Sequence, residues 1–304
     1  MSVSSAIPRQ AADAIIARTT GLGTCPTMDL TVLEDSEGLV IIRAVPRKPK
    51  GRTTWDSLSV VFASYPSCTP GSYRFEFGQT VVRSGQPALF VYDLTHRWYA
   101  ADSQYDRICA TIMGQMSALG TSRLTTVGDS MGGYAALAYG QDLPVAYALA
   151  ITTRSSIGPG AIPDIRRQPQ LEPPHAPRLR APDLRRALAR LPAGMMVHGT
   201  RGPDRVHLPA LRARGAVDHW IVPGRGHGIA AWMKQNDILV PVVLAALDAD
   251  AAEANRLVAS RGAVRSDSLN ARARIAAMFL YDRITGRLDP EHHKAAPSGA
   301  VSLH

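Results

Sequence analysis

Short apolar runs alternate with amphipathic segments over residues 29–284 of this 304-residue chain. The runs at 58–63 and 88–92 are almost continuously apolar, which is typical of strands buried on both faces of a sheet. The segment 104–119 instead places its apolar residues at helical spacing. Strands that alternate with helices predict an α/β protein with a mostly parallel sheet and helices on both faces.

Eight strands are predicted from these runs, at 29–33, 38–45, 58–63, 88–92, 124–127, 145–151, 195–198 and 217–222. Helices are predicted around 11–17, within 70–85, and at 104–119, 133–139, 183–191, 229–258 and 268–284. Pro241 lies inside the long helical pattern, and proline in a helix interior is expected to break or kink the helix.

The domain organisation follows from where the periodic pattern begins and ends. We expect one domain at 29–250, preceded by a poorly anchored lead-in at 1–28 and followed by C-terminal helices at 251–288. Residues 289–304 are predicted to be a disordered tail. Residues 155–192 are rich in proline and arginine and lack periodicity, which is typical of a lid or insert.

The composition indicates where in the cell the protein is expected and whether it binds a metal. The hydrophobic fraction of 45% is ordinary for a soluble globular protein. No apolar run approaches the roughly 18 residues that span a bilayer, and the first residues lack the pattern of a secretory signal. Cys25, Cys68 and Cys109 are widely spaced and form neither a metal pattern nor a disulfide framework. We therefore expect a cytoplasmic protein without a metal.

The chain carries a net charge of +9, and much of the excess lies between residues 154 and 214. Such a surface attracts nucleic acid, an anionic membrane or an acidic substrate. No zinc-finger spacing or RNA-recognition signature is present, so we expect no nucleic-acid partner. We interpret the arginines mainly as solvated surface residues, with an anionic substrate or an anionic surface as the alternative.

The segment Gly128-Asp129-Ser130-Met131-Gly132 is the strongest chemical motif. It reads G-x-S-x-G and lies between a predicted strand and a predicted helix, which is the context of a nucleophile elbow. Small residues at both ends allow the sharp turn to close. The first N–H groups of the helix point toward any developing negative charge. Ser130 is therefore the candidate nucleophile, and an ordinary glycine-rich turn is the alternative.

A serine nucleophile needs a base, usually a histidine that a carboxylate orients. Asp204 follows the predicted strand 195–198, and His227 follows the predicted strand 217–222. Both residues therefore lie at the carboxyl ends of strands, where active sites of parallel sheets gather. The order Ser130, Asp204, His227 predicts a catalytic triad.

Other strand-end residues are candidates for the same region. Asp93 and Asp218 compete with the predicted acid, but Asp218 precedes its strand and so lies at the wrong edge. Asp93 fits better as a wall of a substrate pocket. Trp98, Tyr99 and Thr152 also follow strand ends and are candidate pocket residues. Core packing is the alternative for the two aromatic residues.

The sequence resembles the α/β-hydrolase superfamily over about residues 29–250. The resemblance is carried by G-D-S-M-G, by H-G-T-R-G-P-D after the penultimate strand and by G-R-G-H after the last. It implies the α/β-hydrolase fold with an eight-stranded, mostly parallel sheet and the triad Ser130, Asp204 and His227. The segments F-V-Y-D and G-D-S-M-G-G-Y-A-A-L, with Trp98 and Tyr99, are also similar to a bacterial subset associated with surface-polysaccharide synthesis.

The oxyanion hole departs from many esterases of this superfamily, which carry H-G or H-G-G-G after the third strand. Residues 62–66 read F-A-S-Y-P instead. An oxyanion hole needs backbone N–H groups rather than particular side chains. We expect Met131 to supply one donor and Ser64 or Tyr65 to supply the other.

These residues together predict a serine hydrolase that cleaves a carboxylic ester of a small molecule or glycan through an acyl-enzyme. No cofactor is expected. An acyltransferase with the same triad and a catalytically silent binding protein on the same fold remain alternatives.

Overall fold

The computed structural model describes residues 28–36, 38–47, 55–69, 72–162, 169–171, 177–212 and 215–284. The helix predicted around 11–17 and the tail predicted at 289–304 lie outside these residues. The predicted domain boundaries stay predictions.

All eight predicted strands are present, with ends that shift by a few residues. The strands of the described residues are β1 Met28–Ser36, β2 Leu39–Pro46, β3 Ser57–Phe62, β4 Cys68–Thr69, β5 Ser72–Tyr73, β6 Ala88–Asp93, β7 Arg123–Asp129, β8 Val145–Ile151, β9 Gly194–Gly199, β10 Val217–Val222 and β11 Val264–Arg265. Nine of them form one sheet, and β4 and β5 form a separate pair.

The sheet has nine strands, which corrects the expected eight. Its order is β1-β2-β6-β3-β7-β8-β9-β10-β11. The additional strand, β11, pairs antiparallel with Trp220 and Ile221 of β10. Only two residues form β11, so it has no periodicity that a sequence pattern could detect.

The strand directions define the edge at which a site is expected. The six strands from β6 to β10 in the sheet order are parallel, and β2 runs antiparallel between β1 and β6. From β3 the chain first crosses to β6 on one side and then to β7 on the other. Ligands of open parallel sheets bind at the carboxyl ends of strands beside such a reversal.

The helices of the described residues are α1 Gly78–Ser84, α2 Asp102–Leu119, α3 Met131–Ala138, α4 Arg185–Arg190, α5 Ile229–Gln235, α6 Leu239–Leu247, α7 Ala251–Ala259 and α8 Leu269–Ile284. None of these helices is both long enough and apolar enough to cross a membrane.

The predicted break at Pro241 is wrong. Pro241 is the third residue of α6, where its missing N–H removes no intrahelical hydrogen bond. The segment 229–258 instead divides into three helices. Asp237 and Ala249, with φ of 58° and 59°, lie in the two connections and turn the chain there.

Aromatic packing connects the helices to the centre of the sheet. The ring of Phe62 at the end of β3 stacks on Tyr139, with 4.8 Å between centroids. Tyr139 in turn stacks on Tyr105 of α2 at 4.3 Å. All residues of α3 are buried, so this short helix lies inside the protein beneath the carboxyl edge. The packing therefore fixes the positions of the strand ends that carry the candidate site.

Candidate active site

Ser130 forms the sharp turn between β7 and α3. Its backbone has φ 54° and ψ −115°, a region that residues with a side chain rarely adopt. The neighbouring structure holds this conformation. The Ser130 N–H donates to the carbonyl of Ile151 at 2.8 Å, and its carbonyl accepts from the Tyr134 N–H at 3.1 Å. A strained serine between a strand and a helix has the geometry of a nucleophile elbow.

The glycines around Ser130 allow the turn to close against its neighbours. A Cβ atom on Gly128 would lie 2.2 Å from the backbone of Gly132. A Cβ atom on Gly132 would lie 2.0 Å from the carbonyl oxygen of Phe62 in β3. The first turn of α3 therefore lies directly on the end of β3, at a distance that only glycine permits.

The predicted acid and base lie together. The Nδ1 atom of His227 is 2.7 Å from the Oδ2 atom of Asp204. The ionised carboxylate only accepts hydrogen bonds, so Nδ1 carries the proton and Nε2 is left as the basic nitrogen. The Asp204 side chain is 2% exposed, whereas the imidazole of His227 is 43% exposed. A buried acid thus orients a histidine that solvent can reach.

Backbone contacts between neighbouring loops hold this pair at the carboxyl edge of the sheet. The Arg201 N–H donates to the carbonyl of Arg225 at 2.7 Å, which joins the loop after β9 to the loop after β10. The Thr152 hydroxyl, after β8, donates to the carbonyl of His227 at 3.1 Å. Because Ser130 follows β7 directly beside β8, all three predicted triad residues lie along one edge.

Two neutral, buried histidines connect the strands beneath this edge of the sheet through hydrogen bonds. The Nε2–H of His219 donates to Nδ1 of His198 at 2.9 Å, and the Nε2–H of His198 donates to the carbonyl of Thr153 at 2.8 Å. Burial lowers the pKa of His198 to about 4. Burial also lowers the pKa of His219. The pair is therefore uncharged and connects β10, β9 and the end of β8 through hydrogen bonds.

The predicted role of Ser64 as an oxyanion donor is contradicted, because its N–H is not available. Its N–H already donates to the Oε2 atom of Glu76 at 3.0 Å. Tyr65 begins a short 3₁₀ helix, and no acceptor for its N–H is found among the described residues. Met131 is the first residue of α3, and the first N–H groups of a helix have no intrahelical acceptor. Tyr65 and Met131 remain the candidate donors.

Asp93 and Tyr99 are interior residues, which corrects their interpretation as pocket residues. Both are 0% exposed. The Asp93 carboxylate accepts from the Tyr99 N–H at 2.9 Å and from the Gln104 amide at 3.0 Å. The Tyr99 hydroxyl donates to the carbonyl of Ala63 at 2.7 Å. These contacts stabilise the turn after β6 and the end of β3. The prediction was wrong because a position at a strand end does not determine the direction of the side chain.

Trp98 and Thr152 are also buried. Trp98 packs edge-on against Tyr134, with 5.6 Å between centroids, and the guanidinium of Arg154 lies 4.7 Å from its ring. Thr152 is 1% exposed, and its hydroxyl holds the backbone of His227. Core packing therefore describes the aromatic residue better than a pocket wall does.

A cavity of about 1030 Å³ lies beside the elbow, and it was not predicted from the sequence. Glu76, Asp129 and Lys234 are among its lining residues. The Oδ1 atom of Asp129 is buried and has no hydrogen-bond partner among the described residues. No sequence signal identifies Glu76, which lies in the stretch 70–85, where the sequence predicts a short helix but no site residue.

The carboxyl group of Asp129 is a weak acid in this environment. Burial raises its pKa to about 7, with a further increase from the negative charge of Glu76. The nearby imidazole of His227 acts in the opposite direction, because its protonated form favours the ionised carboxylate. Asp129, next to the candidate nucleophile, therefore titrates near neutral pH.

We expect the titration of Asp129 to be visible in stability. Its folded-state pKa lies above the ordinary value of 3.8, so the protonated group stabilises the fold below about pH 4, and this contribution is lost as the pH rises through about 7. Between about pH 5 and about pH 8, the free energy of unfolding of the wild type should fall by about 3 kcal/mol more than that of Asp129→Asn. Urea unfolding at both pH values measures this, and equal decreases would contradict it.

Within the described residues, no group of three or more His, Cys, Asp or Glu side chains is arranged to hold a metal ion. Cys68 and Cys109 are free thiols, and burial raises the pKa of each. Neither thiol is therefore an ionised ligand at neutral pH.

No family model matches the sequence, and no curated protein matches it. Solved structures do match. The acylaminoacyl peptidase of Pyrococcus horikoshii superposes with a TM-score of 0.51 at 12% identity, over 73% of this chain and 42% of that chain. The 2,6-dihydroxy-pseudo-oxynicotine hydrolase superposes with a TM-score of 0.50 at 13% identity, over 73% of this chain and 69% of that chain.

This chain thus spans less than half the length of the peptidase. At these identities the similarity concerns the fold, and the comparisons do not support the narrower similarity to proteins of surface-polysaccharide synthesis. Three features of the structure agree with the fold of these proteins: the strand order, the antiparallel second strand and the serine turn after β7. The chain has the α/β-hydrolase fold.

Proposed function

We propose that this protein is a serine hydrolase that cleaves carboxylic esters through an acyl-enzyme. One observation carries the proposal. A strained serine turn after β7 and a histidine–carboxylate pair with 2.7 Å between Nδ1 and Oδ2 occupy the same edge of the sheet. A chance G-x-S-x-G turn would not be accompanied by an oriented base at the ends of neighbouring strands.

In the proposed reaction, His227 takes the proton of the Ser130 hydroxyl through Nε2, and the serine oxygen attacks the ester carbonyl. Asp204 holds the imidazole in the required tautomer and stabilises the imidazolium. The N–H groups of Tyr65 and Met131 stabilise the oxyanion. The imidazolium then protonates the leaving alkoxide. His227 next activates water, which releases the carboxylic acid and restores Ser130.

The exposure of His227 favours water over another acyl acceptor. An imidazole that is 43% exposed allows water to approach the acyl-enzyme. An acyltransferase suppresses hydrolysis by excluding water from this position. We therefore propose hydrolysis as the main reaction, and acyl transfer to added alcohols as a minor one.

Labelling with a fluorophosphonate probe tests the proposal. We expect the probe to modify the wild type at one residue and peptide mass spectrometry to locate the phosphonyl group on Ser130. The same preparation should hydrolyse p-nitrophenyl esters, and added methanol should divert only a small part of the acyl group. A folded protein that neither reacts with the probe nor hydrolyses esters would favour the alternative of a binding protein.

A further inference from the structure

Glu76 receives three hydrogen bonds from one short loop. Its Oε2 atom accepts from the Ser64 N–H at 3.0 Å, and its Oε1 atom accepts from the hydroxyls of Ser64 and Ser67, the latter at 2.5 Å. Both carboxylate oxygens are therefore used on the segment that follows β3. Burial raises the pKa of this carboxyl, whereas the hydrogen bonds from Ser64 and Ser67 lower it because they stabilise the ionised form. The three bonds together make this side chain a firm anchor for the loop.

The turn that carries Glu76 is itself held in place. Phe75 packs edge-on against Phe90 of β6, with 4.5 Å between ring centroids. Phe77 adopts a left-handed backbone with φ 56° and caps the start of α1, and the Gly78 N–H donates to the carbonyl of Phe75 at 3.0 Å. Glu76 thus extends from a turn that packs on the sheet, and its hydrogen bonds connect the loop to that turn.

The loop held by Glu76 lies against the nucleophile turn. The close approach of Gly132 to the carbonyl of Phe62 brings the first turn of α3 onto the end of β3. The Tyr99 hydroxyl holds the carbonyl of Ala63 at 2.7 Å, which fixes the start of the loop. With the Ser64 N–H occupied by Glu76, the next N–H along the chain is that of Tyr65.

We propose that Glu76 is a positioning residue of the oxyanion hole. Its carboxylate holds Ser64 through its N–H and hydroxyl and Ser67 through its hydroxyl, and so directs the N–H of the intervening Tyr65 toward the reacting carbonyl. The inference rests on the proposed function and assigns its second oxyanion donor. Glu76 contacts neither substrate nor the reacting atoms in this role. It acts through the loop alone.

The variant Glu76→Ala tests the catalytic consequence. An oxyanion donor acts on the transition state rather than on bound substrate, so its displacement lowers kcat and leaves KM nearly unchanged. We expect kcat for a p-nitrophenyl ester to fall about 10²-fold, the usual effect of one lost donor. The rate of fluorophosphonate labelling should fall in parallel. An unchanged kcat would overturn the proposal.

The variant Glu76→Gln provides the conservative comparison. Its amide oxygen can accept from the Ser64 N–H while its amide nitrogen donates to the hydroxyl oxygens of Ser64 and Ser67. The loop would keep its contacts without the charge. We expect this variant to recover kcat to within about 5-fold of the wild type, since only the charge-assisted part of the bonds is lost. A loss as large as that of Glu76→Ala would overturn positioning by hydrogen bonds.

Amide hydrogen exchange measures the loop independently of activity. In the wild type the Ser64 N–H should be protected, and Glu76→Ala should increase its exchange at least about 10-fold while β7 stays protected. The matched control is Glu253→Ala, which removes an exposed carboxylate on α7 and should change neither kcat nor this exchange.

The two readouts separate the possible failures. Unchanged exchange in Glu76→Ala would show that the carboxylate does not hold the loop, and it would overturn the proposal whatever the activity. A wild type without esterase activity or probe labelling would overturn the proposed function and, with it, the catalytic role of the loop. General loss of protection in Glu76→Ala would assign Glu76 a purely structural role, unless Glu76→Gln is folded and lowers kcat by no more than about 5-fold at unchanged KM.

Discussion

Ser130→Ala is expected to lower kcat/KM for ester hydrolysis by about 10⁴-fold or more, without loss of folded structure. The hydroxyl is the proposed site of covalent attack, and alanine offers no oxygen to the carbonyl. The remaining groups can only bind substrate and polarise it. Ester hydrolysis by purified wild type and variant, corrected for the uncatalysed rate, measures the effect.

Two further serine variants make this result specific. Ser260→Ala removes an exposed hydroxyl that bonds to the carbonyl of Leu257, and it should leave activity unchanged. Ser130→Gly should be as inactive as Ser130→Ala but no less stable than the wild type. Glycine adopts positive φ without the strain of about 1–3 kcal/mol that a side chain suffers there. Hydrolysis retained in Ser130→Ala would place the nucleophile elsewhere.

The longer elements could be predicted because their periodicity extends over many residues. The eight predicted strands and the helix α2 are examples, since each run or face is buried in the way its pattern indicates. The short elements could not be predicted. The strand β11 and the hairpin β4–β5 contain two residues per strand, and their pairing partners determine them rather than their own sequence.

The nucleophile turn and the histidine–carboxylate pair could be predicted from the sequence because of their positions after predicted strands. Ser130 follows β7 directly, and Asp204 and His227 lie in the loops after β9 and β10. Parallel strands bring their carboxyl ends to one edge. Glu76 was not accessible, because nothing near it in the sequence indicates that it contacts Ser64 and Ser67. Asp93 was misinterpreted because a strand-end position does not reveal whether a side chain points outward or into the protein.

Backbone strain at the edge was equally hidden from the sequence. Eight non-glycine residues of the described chain have positive φ, and five of them lie in the connections that begin at the ends of β6, β7 or β8. These five are His96, Trp98, Tyr99, Ser130 and Thr152. Such strain persists only where surrounding contacts enforce it, and it concentrates at functional sites. It is therefore a second indication, independent of the motif, that this edge carries the function.

Gly132→Ala is expected to have the largest effect on folding among the small substitutions in the elbow. The added Cβ atom would lie 2.0 Å from the carbonyl oxygen of Phe62 and 3.1 Å from the carbonyl carbon of Ala63. Both obstacles are backbone atoms of the end of β3, so no side-chain rotation relieves the clash. Overpacking costs about 1–3 kcal/mol where the surroundings can shift, and more where they cannot. We expect a loss of at least about 3 kcal/mol, measured by urea unfolding, or accumulation of insoluble protein.

Gly114→Ala is the matched control, because it adds the same methyl group inside α2 with no atom within 4 Å of the new Cβ. Alanine is favoured over glycine in a helix by about 1 kcal/mol, so this variant should be slightly more stable than the wild type. The opposite signs of the two changes would attribute the loss in Gly132→Ala to the contact between α3 and β3, not to glycine replacement in general. The same contact brings the start of α3 against the loop after β3, so a folded fraction of Gly132→Ala should also lose ester hydrolysis. A variant with wild-type stability and activity would show that the elbow can open by more than an ångström without cost, and the close approach would then not be required.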